Sequence, residues 1–150
     1  MSDTTSSRQL VVFSLGTEEY ALPIASVSEI IRFTEPRSVA SEVAWIRGVI
    51  GLRGKIIPIF DLAARLELPA TAAGAEHGKI VILETGGDQV GVMVDEVEEV
   101  LTVATSQLER VPTASTDTIE AIAKIGDRLV ILLNPEGLFA RAAGEDLAAA

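Results

Sequence analysis

Apolar and polar positions alternate along most of this chain with the period of β-strands. From Gln9 the run Leu10-Val11-Val12-Phe13-Ser14-Leu15 breaks at Gly16-Thr17-Glu18, and Glu19-Tyr20-Ala21-Leu22 resumes until Pro23, which predicts two strands and a turn. Ile24, Val27, Ile30 and Ile31 are spaced for one helical turn running into an extended segment, with Glu29 in either part. Beyond Pro36, Ser41-Glu42-Val43-Ala44-Trp45 predicts a short helix capped by Ser41. The plainest pattern is Trp45 to Leu62, two β-rich runs hinged at Arg53-Gly54. Gly54 accepts left-handed turn geometry, and Ile56, Ile57 and Ile59 suit a return strand. Pro58 has no amide hydrogen, which places it at an edge or irregularity, and Asp61 is set to cap a short helix over residues 62–66.

The second half repeats the first. At a shift of 70, Val11 meets Val81, Phe13 Leu83, Gly16 Gly86, Leu22 Val92, Val27 Val97, Glu29 Glu99 and Ile30 Val100. At a shift of 73, Val49 meets Ile122, Lys55 Arg128, Ile57 Val130, Ile59 Leu132 and Asp61 Asn134, with the second turn at Gly126-Asp127 and Asn134-Pro135 opening another helix. Each unit is too short for a well-covered sheet, so the duplication predicts two small β-barrels packed on one another, closure removing exposed strand edges. Residues 1–8 read as a loosely ordered polar lead and residues 69–78, rich in small side chains, as the boundary between halves.

A chain of 150 residues buries roughly 70% of its unfolded surface on folding, enough for a core without staples. The absence of cysteine excludes disulfides and thiolate metal sites, as fits a reducing cytoplasm. No apolar run approaches the ~18 residues of a membrane span, and no leader pattern opens the chain, so the expectation is a cytoplasmic protein without direct membrane insertion. A formal charge of −10 argues against a grip on nucleic-acid phosphates.

Catalytic chemistry is poorly supplied. The single histidine, His77, lies in the boundary segment, so no His-based triad or His-rich metal site fits within the chain. Glu18-Glu19, Asp95-Glu96 and Glu98-Glu99 are adjacent acids that a strand points to opposite faces. Gly48, Gly51 and Gly54 do not make a phosphate-binding loop, since Val49 stands where the first glycine is needed and Ile56 where Ser or Thr is needed. The expectation is a non-enzyme with no cofactor and no metal. What remains is surface: Arg47, Arg53 and Lys55 share strand parity and project on one side if no bulge intervenes, and Glu29 is available to pair with such a cation.

The segment Gly48-Val49-Ile50-Gly51-Leu52-Arg53-Gly54-Lys55-Ile56-Ile57-Pro58-Ile59-Phe60-Asp61-Leu62 resembles the signature of CheW-type coupling proteins of bacterial chemotaxis. Phe13-Ser14-Leu15-Gly16, Glu19-Tyr20-Ala21-Leu22, Val27-Ser28-Glu29-Ile30, Gly91 to Val97 and Leu129 to Asn134 support it, so that the resemblance spans residues 9–141 and leaves 142–150 as a tail. Gly51 departs from the family, which usually has Asn there. The resemblance implies a mainly β fold of two five-stranded SH3-like barrels with a few short helices. It implies a non-catalytic adaptor joining chemoreceptor tips to the regulatory domain of the histidine kinase CheA, with further CheW-fold subunits in rings beneath receptor arrays. By motif position Val27, Glu29, Arg53 and Val100 match receptor-contact residues, Arg47 matches a basic position near them, and Val27 and Val100 hold equivalent places in the two repeats. A small-molecule-binding regulatory barrel, with an enclosed apolar pocket, and a coupling protein of pilus motility are the alternatives.

Overall fold

The computed structural model describes residues 6–39, 45–68, 78–110 and 118–141. The elements are β1 (Ser7–Leu15), β2 (Glu18–Pro23), β3 (Val27–Arg32), β4 (Ile46–Leu52), β5 (Lys55–Asp61), α1 (Leu62–Arg65), β6 (Lys79–Thr85), β7 (Asp88–Val94), β8 (Glu96–Ala104), β9 (Leu108–Glu109), β10 (Ile119–Ile125), β11 (Arg128–Leu133) and α2 (Pro135–Arg141). Single 3₁₀ turns precede β3 and β9. Glu29 therefore lies on a strand. The helix predicted at Ser41 and the boundary segment around His77 fall outside the described residues, as do the polar lead up to residue 5 and the tail from 142.

The strands form two curled sheets, ordered β8-β1-β2-β11-β10-β9 and β3-β6-β7-β5-β4. Replacing each strand of the second sheet by its counterpart in the other repeat reproduces the first, with β9 as a sixth member. The duplication is thus built by exchange: each sheet takes two strands from one repeat and the rest from the other. The joins are the parallel pairs β5 with β7 and β11 with β2, again counterparts. Both sheets have SH3-like curvature, yet their hydrogen-bonded ladders do not close, leaving β3 and β8 paired on one side only. The irregularities are duplicated too. The register slips at Ser28 in β3 and at Glu98 in β8, and again between Ile46 and Gly48 in β4 and between Ile119 and Ala121 in β10.

Alternation along the strands divides the buried side chains into three layers. One sheet encloses Leu10, Val12, Ala21, Val103, Ala123, Val130 and Leu132. The other encloses Ile50, Ile57, Ile59, Ile80, Ile82 and Met93. Between the sheets lies the largest cluster, including Phe13, Leu22, Phe60, Val81, Val92, Leu133 and Phe139. Phe60 stacks on Phe139 at 4.9 Å and meets Trp45 edge-on at 5.3 Å. Arg65 covers the Trp45 ring at 5.1 Å and donates from Nε to the Leu138 carbonyl at 2.9 Å, satisfying a carbonyl in the last turn of α2.

Local chemistry sets the hairpin. Arg53 and Gly54 both have positive φ, 53° and 80°, which gives the turn the twist of its flanking strands. Asp61 caps α1, its Oδ1 accepting from the Ala64 amide at 3.2 Å. Pro58 does not sit on an edge strand, since β5 lies between β4 and β7; pairing with β7 begins one residue later, at Ile59, so the missing amide costs no bond there. Gly48 is required by space: a Cβ would stand 2.0 Å from the Arg37 carbonyl oxygen, where Arg37 and Val49 exchange backbone hydrogen bonds of 2.8 and 2.9 Å.

Candidate partner-binding face

The bulge at Ser28 turns the face of β3. Val27 lies opposite Leu83 and packs against the inter-sheet cluster, whereas Glu29 lies opposite Ile82, whose side chain points inside the sheet. Glu29 is thereby carried to the mouth of the curled sheet, where it accepts from the Arg53 guanidinium. Strands β3 and β4 are the two edges of this sheet, so the ion pair spans its open seam. It does so loosely, with the Arg53 side chain 72% exposed against 24% for Glu29.

The second repeat builds the same corner with different parts. Its bulge at Glu98 leaves Val97 opposite Phe13 and packed on the inter-sheet cluster, and carries Glu99 opposite Val12, which is enclosed by the first sheet. Here the cation is Arg128. Its Nε and Nη2 donate to Glu19 at 2.9 and 3.2 Å, and Nη2 donates to Glu99 at 2.7 Å. Hydrogen bonding to Glu19 and then to Glu99 holds the guanidinium above its ordinary pKa.

These registers correct one expectation. Val27 and Val100 are not counterparts: Val27 answers to Val97, both half-buried on the central layer, and Val100 answers to Ile30. Ile30 and Val100 are exposed, at 40% and 51%, each on an edge strand and each opposite a buried valine, Val81 and Val11. The two sheets thus present equivalent edges, each with an exposed aliphatic beside a glutamate held by arginine. Val100 belongs to the other sheet from Glu29 and Arg53.

Arg47 does not join Arg53 in one cationic row. The slip leaves Arg47 itself as the unpaired residue and breaks the parity, and Arg47 donates to Asp61 Oδ2 at 3.2 Å at the far end of β4. Lys55 makes no ion pair with any described residue. Of the exposed aliphatics that sequence reasoning did not single out as surface, the most exposed are Ile56 at 76% and Leu129 at 59%. They are a pair under the shift of 73, so a signal for them existed. Ile56, Pro58, Phe60, Val90 and Phe139 help line a half-open groove of about 640 Å³ where the inter-sheet layer reaches the surface. This is an open groove and not the enclosed pocket that a small-molecule regulatory barrel calls for. Among the described residues no group of three or more His, Cys, Asp or Glu side chains could hold a metal ion, and no helix is long and apolar enough to cross a membrane.

Comparison with known proteins agrees with this architecture. Residues 9–143 match the family model described as the CheW-like domain. The chain is 34% identical over 142 residues to a protein of Rhizobium etli named "Probable chemotaxis protein CheW", covering 92% of this chain and 91% of that one. It is 30% identical over 142 residues to chemotaxis protein CheW of Klebsiella aerogenes, covering 92% and 85%. Among solved structures it is similar to the scaffolding protein TtCheW of Thermoanaerobacter tengcongensis, with a TM-score of 0.82 and 33% identity over 89% of this chain and 88% of that one.

Proposed function

The chain belongs to the CheW-like family, the coupling adaptors of chemotaxis, and from that membership we propose that it joins the cytoplasmic tips of chemoreceptors to the regulatory domain of the histidine kinase CheA. The adaptor works by binding and geometry and catalyses nothing. Residues 9–141 are its working domain, flanked by a lead at 1–8 and a tail at 142–150. Val27, Glu29, Arg53 and Val100 form the receptor face, and Arg47 adds charge at an interface. The protein is cytoplasmic and reaches the membrane only by recruitment to receptor arrays, where other CheW-fold subunits complete rings. The observation that carries the receptor face is the Glu29–Arg53 pair, which lies across an open sheet seam beside half-buried Val27 and exposed Ile30. An amphipathic helical tip finds there apolar side chains for its buried stripe and charges that fix its register.

The test is reconstitution of receptor-controlled kinase activity from receptor, CheA and this chain. Control of the kinase should require the chain and fail with Arg53→Ala or Glu29→Ala while both variants remain folded. Unchanged control in both variants would remove the receptor face as assigned.

A further inference from the structure

The two repeats keep the same glutamate but bring its arginine from different places. Under the duplication Glu29 corresponds to Glu99, whereas Arg53, at the first turn position of its hairpin, corresponds to Gly126, and Arg128 corresponds to Lys55. Moving the cation from turn to strand changes what it does. Arg53 meets one carboxylate from an exposed position. Arg128 reaches Glu19 on β2 and Glu99 on β8, two strands separated by β1, and so spans three strands of the sheet. Lys55 has Gln89 where Arg128 has Glu19, and Gln89 is engaged instead with Ser28, its Nε2 donating to Oγ at 3.3 Å.

The strand that Arg128 holds needs holding. β8 is an edge, hydrogen-bonded only to β1, and the bulge at Glu98 removes a ladder position next to Glu99. Val100 is the next residue and is about half exposed. A guanidinium bonded on two sides, with both Glu19 oxygens engaged, is the geometry that fixes orientation as well as charge.

We infer that Arg128 is a positioning residue of the partner-binding face: gripping Glu99 from an anchor on Glu19, it fixes the bulged edge of β8 and with it the presentation of Val100. The face then has a fixed half in the second repeat and an exchangeable half in the first, where an incoming charge can open the exposed Glu29–Arg53 pair at little cost. The functional part of this inference rests on the reading of the face as the receptor contact.

Two readouts test it. Amide hydrogen exchange over residues 97–101 should quicken about tenfold or more in Arg128→Ala, a tenfold change being 1.4 kcal/mol of local opening. Affinity for a receptor signalling-tip fragment should fall about tenfold, while affinity for the CheA regulatory domain is retained. Arg128→Lys, which keeps the charge without the two-sided grip, should lie between. The double variant Gly126→Arg with Arg128→Ala, which returns the arginine to the place of Arg53, should leave β8 exchange fast, because a turn arginine meets one carboxylate without the anchor on Glu19. Wild-type exchange over residues 97–101 in Arg128→Ala would overturn the inference, as would tip binding lost in Arg53→Ala but unaffected in Arg128→Ala. If neither variant loses tip binding, the receptor reading falls and Arg128 is a strut alone. Should Arg128→Ala not fold, Arg128→Lys carries the same comparison.

Discussion

Replacing Arg53 and Glu29 by alanine, singly and together, separates folding from recognition. The Arg53 side chain is 72% exposed and Glu29 24% exposed, so the pair belongs among surface ion pairs, which contribute ~0.2–1 kcal/mol. The two single variants should not be equal. Arg53→Ala leaves a largely covered carboxylate without its cation, whereas Glu29→Ala leaves a guanidinium that water already reaches, so Arg53→Ala should be the more destabilising. Urea unfolding followed by fluorescence of Trp45, the chain's one tryptophan, should show both losses below about 1 kcal/mol, an unchanged slope, and a coupling energy that shrinks as salt is added. Receptor-tip affinity in the same variants should fall tenfold or more, which corresponds to about 1.4 kcal/mol. A coupling above about 2 kcal/mol, insensitive to salt, would make the pair a structural tie and refute its assignment as an exchangeable recognition element.

Other expectations follow from the core. Phe60→Ala removes the ring that packs against both Trp45 and Phe139 and should cost ~3–5 kcal/mol in urea unfolding, with a shift of Trp45 emission in the folded state; a loss under 1 kcal/mol would contradict the inter-sheet layer. Gly48→Ala places a Cβ against the Arg37 carbonyl at φ 152° and should cost at least about 2 kcal/mol, whereas Gly51→Ala, with open space around its Cβ, should be neutral or mildly stabilising. Tyr20, the only tyrosine, has its pKa raised by burial and then by Glu18, so phenolate absorbance should rise at a pH above the usual value near 10. Because the folded state holds this proton more tightly than the unfolded one, the associated stability is complete below pH ~10 and is lost as pH climbs through the folded value. A midpoint at or below that of free tyrosine would be inconsistent with a buried ring.

Much of the fold was legible because its signals are local. The Arg53-Gly54 turn, the Asp61 cap and the flanking alternation predicted β4, β5 and α1. Two shifts exposed the duplication. The exchange of strands between halves was not legible, since the deciding pairs, β5 with β7 and β11 with β2, join residues distant in sequence, and an alternating strand matches several partners equally well. A single-residue bulge accounts for the error in the cationic row. The slip at Arg47 undid the shared parity of Arg47 and Arg53, whereas the matching bulges at Ser28 and Glu98 keep the pairs that the shift of 70 had given, Val27 with Val97 and Ile30 with Val100, against the equivalence of Val27 and Val100. A bulge leaves little trace in an apolar pattern, yet it reverses which side chains face a partner. The pairing of Glu29 with a cation was readable from charge alone; the choice of Arg53 over Lys55 was set by the turn.

The most direct test of the account is a titration of this chain against the CheA regulatory domain and, separately, against a receptor signalling-tip fragment, repeated with Arg53→Ala. The account predicts binding to both, with Arg53→Ala weakening the tip complex tenfold or more and leaving the kinase complex unchanged. Binding to neither partner would contradict it.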